Sequence, residues 1–160
     1  MDTLLLIHIL VCLASLATGF IVLGGWISGR HLRGWTSGFL VSTVLVSITG
    51  ILLPLTGITP AVVLVILSLI ALAVAIFALV GKKKAGSWET VYVIAGLTAL
   101  YFNFFVLVAQ LFQKTPALRA LAPTQSEPPF AISQLLVLAL FITLGISSVK
   151  RLKAVRVGAA

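Results

Sequence analysis

The amino-acid sequence predicts an all-α integral membrane bundle of five transmembrane helices, with the N-terminus outside and the C-terminus cytoplasmic. Three observations lead there. Of 160 residues, 61% are hydrophobic and only 9% charged, against roughly 25% charged in a soluble domain, and the mean hydropathy is +1.24. Five apolar runs reach the about 20 residues that a helix needs to cross the hydrocarbon. The 11 Lys and Arg fall in short clusters between those runs, as loop charges do. The net charge of +8 thus reports topology and gives no reason to invoke a nucleic-acid partner.

The first run covers about 4–27. Met1-Asp2-Thr3 before it lacks a basic n-region, and the run exceeds the roughly 7 to 15 residues of a signal-peptide core, so it reads as a retained helix. The second run, about 35–53, follows the loop Ser28 to Gly34, and the third, about 61–80, follows a turn from Pro54 to Pro60. The basic segment Gly81 to Ser87 precedes the fourth run, about 90–112, and the proline-rich segment Lys114 to Pro129 precedes the fifth, about 130–149. Residues 1–160 thus form a single transmembrane domain. A four-span arrangement, with one run re-entrant or the first cleaved, is the alternative.

Orientation follows from the loops that carry Lys and Arg, which are retained in the cytoplasm. Arg30, Arg33, Lys82, Lys83, Lys84, Lys150, Arg151, Lys153 and Arg156 share one side, and only Lys114 and Arg119 fall on the other. Trp26, Trp35 and Trp88 stand at span ends on the basic side, where amphipathic rings favour the headgroup level.

Because lipid solvates Leu as well as protein does, membrane helices meet through small and polar residues. At helical spacing, His8, Cys12, Ser15, Gly19 and Trp26 share a face of the first span. Tyr92, Gly96, Ala99, Asn103 and Gln110 do so in the fourth, and Gln134, Phe141 and Gly145, with Ser148 close by, in the fifth. The second span carries two such stripes, Gly38-Ser42-Thr49 and Thr36-Thr43-Ser47-Gly50, and is expected at the centre. The third, whose only polar residue is Ser68, is expected at the lipid-facing periphery. Gly25-x-x-x-Gly29 and Gly34-x-x-x-Gly38 suggest a close approach of the first two helices.

Depth along each helix, at about 1.5 Å per residue, places His8, Gln110 and Gln134 at one level near the outer leaflet. Asn103 lies about 10 Å deeper on the Gln110 face. Above this layer, Thr124, Gln125, Ser126 and Glu127 belong to a proline-limited loop that could fold down as a cap. The candidate ligand-binding set is therefore His8, Asn103, Gln110, Gln134, Thr124, Gln125 and Glu127. Taken singly, each amide or imidazole is more simply a packing group satisfied by a neighbouring helix; the shared depth is what suggests a site.

No Asp, Glu, Lys or Arg lies within a span, which argues against a charge-driven transporter. The lone cysteine, Cys12, permits no intrachain disulfide, and with His8 it makes too small a set for a metal centre. His8 and His31 stand about 30 Å apart near opposite ends of one helix, which excludes bis-histidine haem within a subunit; five-coordinate ligation by His8, or ligation shared between subunits, stays open. His31 reads as an inner-surface residue near lipid phosphates.

The segments Ala17-Thr-Gly-Phe20, Gly34-Trp-Thr36, Asn103-x-Phe-Val-Leu-Val-x-Gln110 and Ala122-Pro-Thr-Gln-Ser-Glu-Pro-Pro-Phe130 carry a resemblance over most of the chain. The sequence resembles a family of small uncharacterised bacterial inner-membrane proteins. That resemblance implies a bacterial inner-membrane location and carries over no catalytic residues.

The leading functional expectation is a non-catalytic accessory subunit, or a protein that binds a lipophilic ligand such as a lipid or quinone in a polar pocket near the outer leaflet. No cofactor is required by the sequence, and quinone or haem stays open. The partners expected are the lipid bilayer and a larger membrane complex or homo-oligomer. One alternative is a membrane enzyme acting on a lipid or quinone, with His8 or Glu127 as base. The other is an oligomeric channel for a neutral solute.

Overall fold

In the computed structural model of the chain, residues 3–53 and 60–158 are described, and they form an all-helical bundle with no strand among them. The long helices are α1 (Thr3–Ile27), α2 (Arg33–Leu52), α3 (Pro60–Ile76), α4 (Trp88–Lys114) and α6 (Pro128–Gly158). Five helices are long and apolar enough to cross a membrane. The expected turn after the second span falls mostly on residues 54–59, outside the described residues.

Helix boundaries depart from the hydropathy boundaries where charge enters. The fifth span was expected to end near 149, yet α6 has 31 residues and is about 46 Å long, against a hydrocarbon thickness of about 30 Å. Its last turns, Lys150 to Gly158, are polar but rich in good helix formers. Hydropathy registers the entry of charge there, while the backbone stays helical. The proline-rich connection also holds a short helix, α5 (Pro116–Leu121), opened by Pro116 in the first turn, where its missing N–H costs nothing. At the other end α3 widens into a π turn, Phe77–Gly81.

α4 is the hub, packing against α1, α3 and α6, while α1 also packs on α2 and α6. The five form a ring in the order α2, α1, α6, α4, α3, with α1 and α4 touching across it. This corrects the expectation that the second span is central. The hydroxyls of its stripes donate to their own helix, Ser42 and Thr43 to the Phe39 carbonyl, Ser47 to that of Thr43 and Thr49 to that of Leu45, while the oxygens of Thr43 and Thr49 face α1 and that of Thr36 accepts from Tyr92 of α4. α3 does sit at the edge, packing Ser68, Leu72, Ala75 and Ala78 inward and exposing Ile66, Ile70 and Val74.

The expected stripes of α1, α4 and α6 are buried faces, Gln110 apart. Ser15, Trp26, Tyr92, Ala99, Phe141 and Ser148 are nearly inaccessible. Glycines set the close approaches: a Cβ on Gly19 would lie 2.5 Å from Leu100 Cδ1, on Gly96 2.9 Å from Trp26 Cη2, and on Gly145 2.9 Å from Leu97 Cδ2. Of the two GxxxG pairs, Gly38 does face α1, where a Cβ would lie 3.7 Å from Thr18 Cγ2, and Gly25 packs against Leu32. Gly34 meets nothing within 4 Å, and Gly29 adopts φ +73° in the α1–α2 turn beneath Val155 of α6. Trp26 is also corrected: it is 1% exposed, its ring edge-on to Tyr92 at 5.4 Å, so it is a core residue rather than a headgroup anchor. Trp35 is exposed.

Candidate functional site

Asn103 donates from Nδ2 to Ser15 Oγ at 2.9 Å, and Ser15 Oγ lies 2.8 Å from Thr43 Oγ1. The Thr43 hydroxyl hydrogen is engaged by the Phe39 carbonyl at 2.7 Å, so Ser15 donates to Thr43. A directed chain therefore runs from α4 through α1 into the α2 backbone, with its hydroxyl hydrogens assigned. Each such bond contributes about 0.6 kcal/mol in a membrane, and the chain fixes register among three helices.

His8 follows the same logic about two turns nearer the N-terminus of α1. Thr49 donates to the Leu45 carbonyl at 2.7 Å, leaving its oxygen to accept from His8 Nδ1, also at 2.7 Å. His8 is then the Nδ1–H tautomer, and its Nε2 lone pair accepts the Cys12 thiol at 3.5 Å. Both ring nitrogens are engaged within the α1–α2 seam.

The expected convergence of His8, Gln110 and Gln134 is not formed. Gln110 is exposed, while Gln134 is buried between α6 and α4, donating to the Phe105 carbonyl at 3.2 Å. Its Oε1 is buried without a partner. Equal depth did not bring the three together because His8 faces the α1–α2 seam, Gln134 the α4–α6 seam and Gln110 the outside of the bundle.

The loop above does fold down, through one residue. Gln125, at φ 61°, donates from Nε2 to the Ala109 carbonyl at 2.6 Å and accepts from Gln113 at 3.2 Å. Thr124 and Glu127 stay in the loop, where Glu127 accepts from the Thr124 hydroxyl at 2.8 Å and from the N–H groups of Thr124 and Ser126 at 3.1 Å each. Desolvation works against ionisation of Glu127, but these hydrogen bonds prevail and hold its carboxyl below the usual range.

The opposite, basic end holds a cluster absent from the sequence reading. Glu89, in the first turn of α4, accepts from His31 Nε2 at 2.7 Å and pairs with Arg156 of α6. Arg156 also donates to the Gly86 carbonyl at 3.0 Å. The contact ties the α1–α2 turn, the α3–α4 turn and the end of α6 together. Burial first, then the positive charges of Lys84, Arg156 and Arg33, push the His31 imidazole down to about 4. Burial and three cations together outweigh the one carboxylate, so His31 is neutral and donates from Nε2. This corrects its reading as a phosphate-facing residue. Lys84, at φ 57°, lies over the Tyr92 ring at 5.7 Å, and Lys82 over Phe77 and Trp88 at 5.6 and 5.4 Å. A signal was present: of three acidic residues in the chain, Glu89 alone lies on the side that carries nine Lys and Arg.

Two hollows stand out on the bundle. One, about 380 Å³, lies beside α5 between Gln113, Lys114, Arg119 and Pro123. The other, about 580 Å³, is a groove between α4 and α6. Leu97, Phe141 and Gly145 lie deep in it, and exposed Ile94, Ile142 and Ile146 border it. Thr98, Tyr101 and Lys150 supply its polar side chains. None of the sequence-derived candidate residues lines either hollow. Among the described residues no three His, Cys, Asp or Glu gather to hold a metal ion. Comparison with protein-family models, curated proteins and solved structures returns no match.

Proposed function

We propose that the chain is a multi-pass protein of a cell inner membrane, its basic end in the cytoplasm, that binds a lipophilic ligand laterally in the groove between α4 and α6. The groove carries this reading. Its volume, about 580 Å³, is in the range of small-molecule sites, which are mostly apolar with a few placed polar groups. The candidate polar layer offers less to a ligand, since His8 and Asn103 are engaged in helix-to-helix hydrogen bonds. Those bonds also give no support to a solute channel, because the hydroxyls of Ser15, Thr43 and Thr49 are consumed in them. Partnership with a larger complex or a second copy is compatible with lateral binding and is part of the proposal only as an environment for it.

The test is Thr98→Trp, which places an indole in the groove at a half-buried position. The protein is extracted gently with its surrounding bilayer, and bound lipids and quinones are quantified by mass spectrometry. A stoichiometric lipophilic species in the parent protein that falls at least severalfold in the variant, with helix content unchanged, is the expected result. Equal retention in both proteins refutes the groove as the site.

A further inference from the structure

We infer that the ligand of this groove is a phospholipid with an anionic head group, taken from the leaflet at the basic end. The inference rests on the groove reading above and adds the ligand's chemistry. On α6 the groove runs from Leu138 to Lys150, a rise of about 18 Å. The hydrocarbon of a bilayer is about 30 Å thick, so the groove is roughly one leaflet tall. That length suits an acyl chain entering from one surface. A transmembrane helix of another subunit would need a seat running the full thickness.

Charge at the groove's end selects the head group. Lys150 closes the groove where α6 leaves the apolar zone, and Thr98 and Tyr101 are uncharged. Glu89 is the one acidic residue at this end, and His31 and Arg156 already occupy its carboxylate. Lys82 and Lys84 lie over aromatic rings. Among the described residues, Lys150 enters neither ion pair, so its ammonium group is available to an external anion. A phosphodiester whose head group adds no compensating positive charge is the complementary lipid. A quinone or a neutral glyceride has no charge for Lys150 to meet.

The experiment is native mass spectrometry of the purified full chain, with phosphatidylglycerol and phosphatidylcholine of matched acyl chains added in competition. The parent protein should retain phosphatidylglycerol preferentially. A cation at the membrane surface contributes about 1 kcal/mol toward an anionic lipid, so Lys150→Gln should lower that preference about fivefold while total lipid occupancy stays level. Lys150→Arg should restore it. Thr98→Trp should lower retention of both lipids together. If Lys150→Gln leaves the preference unchanged while Thr98→Trp empties the site, the head-group inference is overturned and the groove reading stands. If Thr98→Trp changes neither lipid, the groove reading itself is overturned. Stoichiometric quinone in place of phospholipid likewise overturns the inference about the head group.

Discussion

Acidification should loosen the basic end of the bundle through His31. The imidazole is pushed from its ordinary 6.5 to about 4 by burial and by Lys84, Arg156 and Arg33, with Glu89 of α4 facing it at 2.7 Å. An unfolded chain takes up this proton below about 6.5, whereas the folded chain resists until about 4. Stability is therefore fully present above the ordinary value, falls as pH drops through that window, and levels off below it. Integrating the two titrations between pH 7 and pH 5 gives a loss of about 2 kcal/mol. The assay is unfolding in mixed micelles at both pH values, for the parent protein and for His31→Gln, which keeps a donor for Glu89. The parent protein should lose about 2 kcal/mol more than the variant, and subtraction removes the titration of His8 and the carboxylates. Equal pH dependence in the two proteins, or a parent protein that gains stability on acidification, would refute the electrostatic balance assigned to this cluster.

Other predictions concern the interior. Ser15→Ala and Asn103→Ala should each cost about 1 kcal/mol, with a coupling energy near 0.6 kcal/mol in a double-mutant cycle; purely additive effects would contradict the hydrogen-bond chain. Gly19→Ala forces a methyl against Leu100 and Phe39 and should cost about 1–3 kcal/mol. Gly24→Ala, with nothing within 4 Å, should stay within about 0.5 kcal/mol of the parent protein, so similar values for the two glycines would contradict the packing of α1 on α4 and α2.

The five helices long and apolar enough to cross a membrane, and the buried faces of α1, α4 and α6, were legible in the sequence, because long apolar runs and stripes of small or polar residues are different signals. Ser15 and Asn103 were each read on a contact stripe, and they bond to each other. Where the reading failed, a local signal stood for more than one physical situation. Two polar stripes on α2 suggested a central helix, yet α2 lies between α1 and α3 in the ring, whereas α4 packs against α1, α3 and α6. A tryptophan at a span end suggested a headgroup anchor, yet Gly96 leaves room for Trp26 inside. Depth alone grouped His8, Gln110 and Gln134, whereas a site also requires a common azimuth around the bundle, which depends on the order of helices in the ring. The groove was illegible for the same reason: it exists only because α4 and α6 lie side by side, with Leu97 packed against Gly145 at its floor.

Where a lipid sits on the bundle distinguishes the α4–α6 groove from the rest of the apolar surface. A phosphatidylglycerol carrying a photoreactive diazirine in its acyl chain, incorporated with the protein into bilayers and irradiated, marks the residues that hold the chain. The account predicts adducts concentrated on α4 between Ile94 and Phe102 and on α6 between Leu138 and Val149, and lost in Thr98→Trp. Adducts spread evenly over the exposed faces of α1, α2 and α3, with no excess in the α4–α6 groove, would contradict it.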